Sequence, residues 1–129
     1  MIRLNELRPL FPEQRDEITV EAEAVKAYFT RIIEDNGKLV ELWRRLLALP
    51  LSDSYRNCVT VQLEIQELIT IQSQKVNEEM DLLLDRSVTD RQTLDRKQDA
   101  IRSSNDEIIQ KLSERETYLQ QNCRRPTGQ

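Results

Sequence analysis

A chain of 129 residues, 38% of them hydrophobic and with a mean hydropathy of -0.65, has room for one domain with a narrow core. Charged residues make up 33% and aromatics 5%, with two glycines and four prolines, which excludes turn-rich sheet folds and points to long helices with solvated faces. Nineteen basic against 23 acidic residues leave a net charge of -4, so no nucleic-acid partner is expected.

The first twelve residues form an apolar arm, with Leu4, Leu7, Leu10 and Phe11 between and around Pro9 and Pro12. They carry charge and no apolar run of signal-peptide length. No later stretch approaches the roughly 20 apolar residues of a membrane span, so no transmembrane segment is expected. Pro12 suits the first position of a helix, and the spacing predicts one over 13–49. Within it Ile18, Ala22, Val25, Phe29, Ile32, Asn36, Leu39, Trp43 and Leu46 follow at alternating steps of four and three, the seam of a coiled coil. Asp35-Asn36-Gly37 would otherwise read as a helix stop. The unbroken register favours a continuous helix, which makes Asn36 a seam amide able to fix register or oligomeric state.

Pro50 ends this helix, and Ser52 or Ser54 can cap the next, predicted over 53–86. Val59 to Ile65 alternates in the manner of a strand, but no other run could pair with it, so helix is expected. Most of this helix's apolar residues share one face, while Leu63, Ile71 and Leu82 fall on the other. These three are the better candidates for a protein interface, because an apolar set opposite the main stripe has to be covered by something, a helix of another chain or the N-terminal run Leu4, Leu7, Leu10 and Phe11. Trp43, which sits in the seam, reads first as a core anchor and otherwise as an interface hot spot. Thr89 followed by Gln92, and Ser87 followed by Asp90, offer capping pairs for a third helix over 90–122. Its seam carries the polar residues Arg91, Gln98, Asn105 and Arg115, of which Asn105, like Asn36, is a candidate for register or specificity. Residues 126–129 read as a flexible tail.

The expected fold is therefore all-α, a single domain over 1–125. It is an antiparallel three-helix bundle of long helices, extended as a coiled coil or completed to four helices by a partner. The layout resembles that of spectrin-type repeats. Over Leu39 to Pro50 the chain is also similar to the opening of antiparallel microtubule-bundling proteins, which implies a second long helix after Pro50.

Chemistry is sparse. There is no histidine, and with Gly37 and Gly128 as the only glycines no phosphate-cradling loop can be built. Carboxylates at helical spacing, Glu64 with Glu67 and Glu78 with Asp81 and Asp85, read as a solvated face and not as metal ligands. No cofactor and no enzyme activity are expected; an enzyme would need a polar pocket in the bundle lined by Arg91, Arg115 and an acid. Cys58 and Cys123 lie far apart in sequence without a CxxC spacing, which supports neither a disulfide framework nor a zinc site, so each reads as a small buried hydrophobe in a reducing, cytoplasmic setting, with a redox pair as the functional alternative. The expected function is a protein–protein interaction module, an adaptor or a subunit of a larger helical assembly. Its partner is another protein or a second copy in a homo-oligomer. A small acidic export or assembly chaperone and a scaffold or cytoskeletal repeat are the alternatives.

Overall fold

The computed structural model describes residues 15–85 and 87–123, with side chains described from residue 19 onward. The described residues form three long helices: α1 (Arg15–Leu47), α2 (Asp53–Leu84) and α3 (Arg91–Asn122). Each spans about 48 Å at 1.5 Å per residue. They form an antiparallel three-helix bundle in which α1 and α3 both pack along α2. The expected start at residue 13, the apolar arm and the tail lie outside the described residues.

Helix α1 runs through Asn36 and Gly37 without a break. It closes in a tighter turn ahead of Pro50, where the amides of Ala48 and Leu49 donate to the carbonyls of Arg45 and Leu46, both at 3.1 Å. The guanidinium of Arg56 then donates to the carbonyls of Leu47 (2.8 Å) and Leu49 (3.0 Å), satisfying acceptors that the helix end leaves over. Ser52 caps α2 by accepting from the Tyr55 amide at 3.3 Å. Val59 to Ile65 is helical, so the alternating pattern there does not make a strand.

The start of α3 differs from expectation. Asp90 is the cap, and its Oδ2 accepts from both the amide (2.9 Å) and the hydroxyl (2.8 Å) of Thr93. Neither Thr89 nor Ser87 takes that role; the Ser87 amide and hydroxyl donate instead to Asp85 Oδ1 at 2.9 and 2.6 Å. An ionised aspartate accepts two bonds at once and lies beside the positive end of the helix dipole, which a neutral hydroxyl cannot match. The bonds from Thr93, the side-chain one foremost, hold the Asp90 carboxyl below its ordinary value of 3.8.

Two apolar clusters fill the interior. At one end Ala22 and Val25 of α1 meet Val76, Met80, Leu82 and Leu83 of α2, with Val88 and with Leu94 of α3. Toward the other end Ile65 of α2 packs on Ile108 and Leu112 of α3, and no residue of α1 joins that cluster. The second half of α1 is thus held against α2 but is not enclosed by the core.

Cross-helix pairs fix the register. Lys26 pairs with Asp81 (2.5 Å), Asn77 Nδ2 donates to Thr30 (3.1 Å), and Arg44 reaches Glu67 (3.4 Å) between α1 and α2. Between α2 and α3, Arg115 pairs with Glu64 (2.7 Å) and Arg102 with Glu79 (3.0 Å). Equal helices that reverse direction return the chain to the same end of the bundle. There Cys58 and Cys123 lie with Cα atoms 5.7 Å apart and are joined as a disulfide. This overturns the expectation of unpaired cysteines: the chain between them, a separation of 65 in sequence, is folded into one antiparallel hairpin, so distance in sequence does not translate into distance in space. The argument for a reducing compartment that rested on free thiols falls with it. No helix among the described residues is long and apolar enough to cross a membrane.

Candidate interaction surface

A helix of 3.6 residues per turn cannot keep a 3.5-residue seam on one side; the track drifts by about 20° per heptad. Along α1 this drift is visible in burial. Ala22 and Val25 are buried and Phe29 and Ile32 half-buried, but Leu39, three heptads after Ile18, is 41% exposed. The inward side of the second half passes instead through Asn36, Val40, Trp43 and Leu47. What the drift leaves outside is a second apolar track, Leu39, Leu42 and Leu46 at steps of three and four, which Leu49 extends from the turn after α1.

Leu42 is 57% and Leu49 51% exposed, while Leu46 is half-buried. These side chains with Trp43 and the stem of Arg45 line one shallow, almost wholly apolar groove. Charges of both signs border it. Lys38 is exposed, Arg45 pairs loosely with Glu41 (3.6 Å), and Arg44 is drawn toward Glu67 on α2. Trp43 itself is half-buried and also lines a second pocket, at the bundle end, with Tyr55, Val59, Leu119 and the two cysteines. It is neither a closed core residue nor a fully offered one.

The other sequence candidates separate. Ile71 is 41% exposed and Leu63 half-buried, so both remain accessible on α2. Leu82 is only 8% exposed and belongs to the interior cluster with Ala22 and Val25, so it offers no surface to a partner. The reason is topological: α2 is the central helix and needs two apolar faces, one for each neighbour. Asn36 is buried at 8% exposure, and its Nδ2 has no hydrogen-bond partner. Asn105 is half-buried with an equally unpartnered Oδ1.

Arg91 and Arg115 do not share a pocket. They lie 24 residues apart on one helix, about 36 Å at 1.5 Å per residue, and each has its own acid, Asp95 at 3.9 Å and Glu64 at 2.7 Å. The carboxylates expected on a solvated face also have partners: Glu64 and Glu67 reach Arg115 and Arg44, Glu78 reaches Lys75, and Asp81 reaches Lys26. The pairs of Glu64, Glu67 and Asp81 tie helices together, while that of Glu78 lies within α2.

One polar group escaped the sequence reading. Glu79 is 1% exposed, and its Oε2 accepts from Gln98 Nε2 (2.8 Å) and Arg102 Nη2 (3.0 Å). Its position, three residues after Val76 and four before Leu83, places it within the buried stripe, which was the available signal.

Comparison of the chain with family models, with curated proteins and with solved structures yields no match.

Proposed function

We propose that this chain is a non-enzymatic interaction module that docks an amphipathic helix on the leucine track of α1, and that its first partner is a second copy of itself. The observation that carries the reading is the row Leu39, Leu42, Leu46 and Leu49, spaced to meet another helix and braced from behind by α2. The mixed border of Lys38, Glu41 and Arg45 sets no single sign on the partner, which is compatible with self-pairing.

Magnitudes limit the strength. The leucines are already about half withdrawn from water, so completing the burial of all eight in a pair, at about half of 1.5 to 3 kcal/mol each, gives a gross gain of about 6 to 12 kcal/mol. Association costs about 4 to 15 kcal/mol in lost freedom. The track alone therefore supports a weak complex, and a tight one needs a further anchor, for which Trp43 at the edge of the groove is placed. A cytoplasmic location no longer has the cysteines behind it. Within a reducing compartment the disulfide would belong to the transient, regulatory class.

Sedimentation equilibrium of the full chain tests the reading. The mean mass should rise with concentration for the natural sequence and stay at the monomer for Leu42→Glu, with equal helix content by circular dichroism. A monomer at every concentration for both would overturn self-association through this track.

A further inference from the structure

We infer that the Cys58–Cys123 disulfide is a redox-operated latch that holds the distal end of the bundle closed and sets how much apolar surface stands beside the leucine groove. Three observations converge on it. The bond joins the second turn of α2 to the residue that ends α3, and both sulfurs belong to half-buried, not enclosed, residues. The packing it reinforces is small: beyond Ile65, Ile108 and Leu112, the apolar residues toward this end are the buried Val59 and the half-buried Val61 and Leu119. The pocket at the bond is walled by Trp43, Tyr55, Val59 and Leu119, and Trp43 is also part of the leucine groove. One side chain thus borders both features.

The chemistry is thiol–disulfide exchange with a dithiol reductant. A reductant thiolate attacks one Sγ, the S–S bond breaks, and the other sulfur leaves as a thiolate. Both cysteines are half-buried, so either Sγ can be the one attacked. The reductant's second thiol then displaces the attacked cysteine from the mixed disulfide as a thiolate. Two electrons and two protons pass to the cysteines, and the reductant becomes a cyclic disulfide.

Once the bond is gone, the last turns of α3 keep Leu119, packed on the Ile65 cluster and beside Val59, and the half-exposed Arg115–Glu64 pair. They fray, and Val59, Tyr55 and the inner edge of Trp43 are uncovered next to the groove. Reduction therefore enlarges the docking surface. This last step rests on the docking role proposed above; the latch itself does not.

The test uses the full chain, before and after treatment with dithiothreitol, together with the double variant Cys58→Ser/Cys123→Ser. Thiol titration should find no free thiol in the air-oxidised protein and two after reduction. Hydrogen exchange at residues 55–62 and 116–122 should accelerate at least about tenfold on reduction, while 76–83 and 94–101 stay protected. The double variant should behave as the reduced chain. Free thiols in the oxidised protein, unchanged exchange at both distal segments, or loss of protection throughout the bundle would each overturn the latch. Sedimentation of the two forms then reads the docking step alone. A shift of the reduced chain to larger species supports it, and equal association of both forms overturns it without touching the exchange result.

Discussion

Glu79 of α2 and Arg102 of α3 meet at 3.0 Å with the carboxylate almost fully removed from water, and Gln98 completes its coordination at 2.8 Å. Charge taken out of solvent is tolerated only while it is matched. Arg102→Ala should therefore cost about 3 to 5 kcal/mol, because it leaves a buried anion with one neutral donor. The shift of the urea midpoint measures it. A loss below about 1 kcal/mol would mean that water reaches Glu79.

Asn36 carries a different cost. Its buried Nδ2 has no acceptor, and an unmatched donor of this kind is worth about 1 to 3 kcal/mol of destabilisation. Asn36→Leu should raise the unfolding midpoint. It should also broaden the amide NMR signals of α1 and α2, since a buried seam amide restricts the register of one helix on its neighbour. A more stable but equally uniform protein would remove the specificity role.

Gly37 has open space where a Cβ would stand, with nothing within 4 Å. In the middle of a continuous helix it supplies neither a turn nor a close approach. Gly37→Ala should stabilise the chain by about 0.8 to 1 kcal/mol through helix propensity. Destabilisation on substitution would show that α1 is not continuous there.

Asp90 links stability to pH. Its carboxyl titrates below its ordinary value of 3.8 because the folded state supplies the Thr93 hydroxyl and amide. The folded protein thus binds the proton less readily than the unfolded one, so this contribution is complete above 3.8 and is lost as pH falls through the lower folded value. Asp90→Asn should keep a capping oxygen but remove this part of the acid sensitivity. Carboxyl chemical shifts followed by NMR through pH 2 to 5 check the direction.

Helix type, number and order were legible from spacing and from Pro50, because a long amphipathic period has few other readings. Even the passage through Gly37 followed from the seam. What was not legible depends on which helix lies in the middle. Leu82 read as surplus apolar surface because a single buried face was assumed, whereas α2 is packed from two sides. The leucine track of α1 was hidden inside its own seam: Leu39 and Leu46 belong to both, and only the drift of a straight helix turns them outward. Glu79 was lost among its acidic neighbours, since a charge in a buried stripe is recognised only when its partners on another helix are known. The cysteine pair needed the hairpin register itself, which spacing in one dimension does not supply.

The covalent bond between residues 58 and 123 has a topological consequence as well. With it in place, α2, the connector and α3 make a closed ring of chain from which α1 extends as a tail. A protease that cuts the connector at 85–90 therefore opens the ring without dividing the molecule. The two fragments should migrate together on a non-reducing gel and separate once a thiol is added. Cleavage in the turn at 48–52 has the opposite outcome, since it lies outside the ring and no covalent link then holds α1.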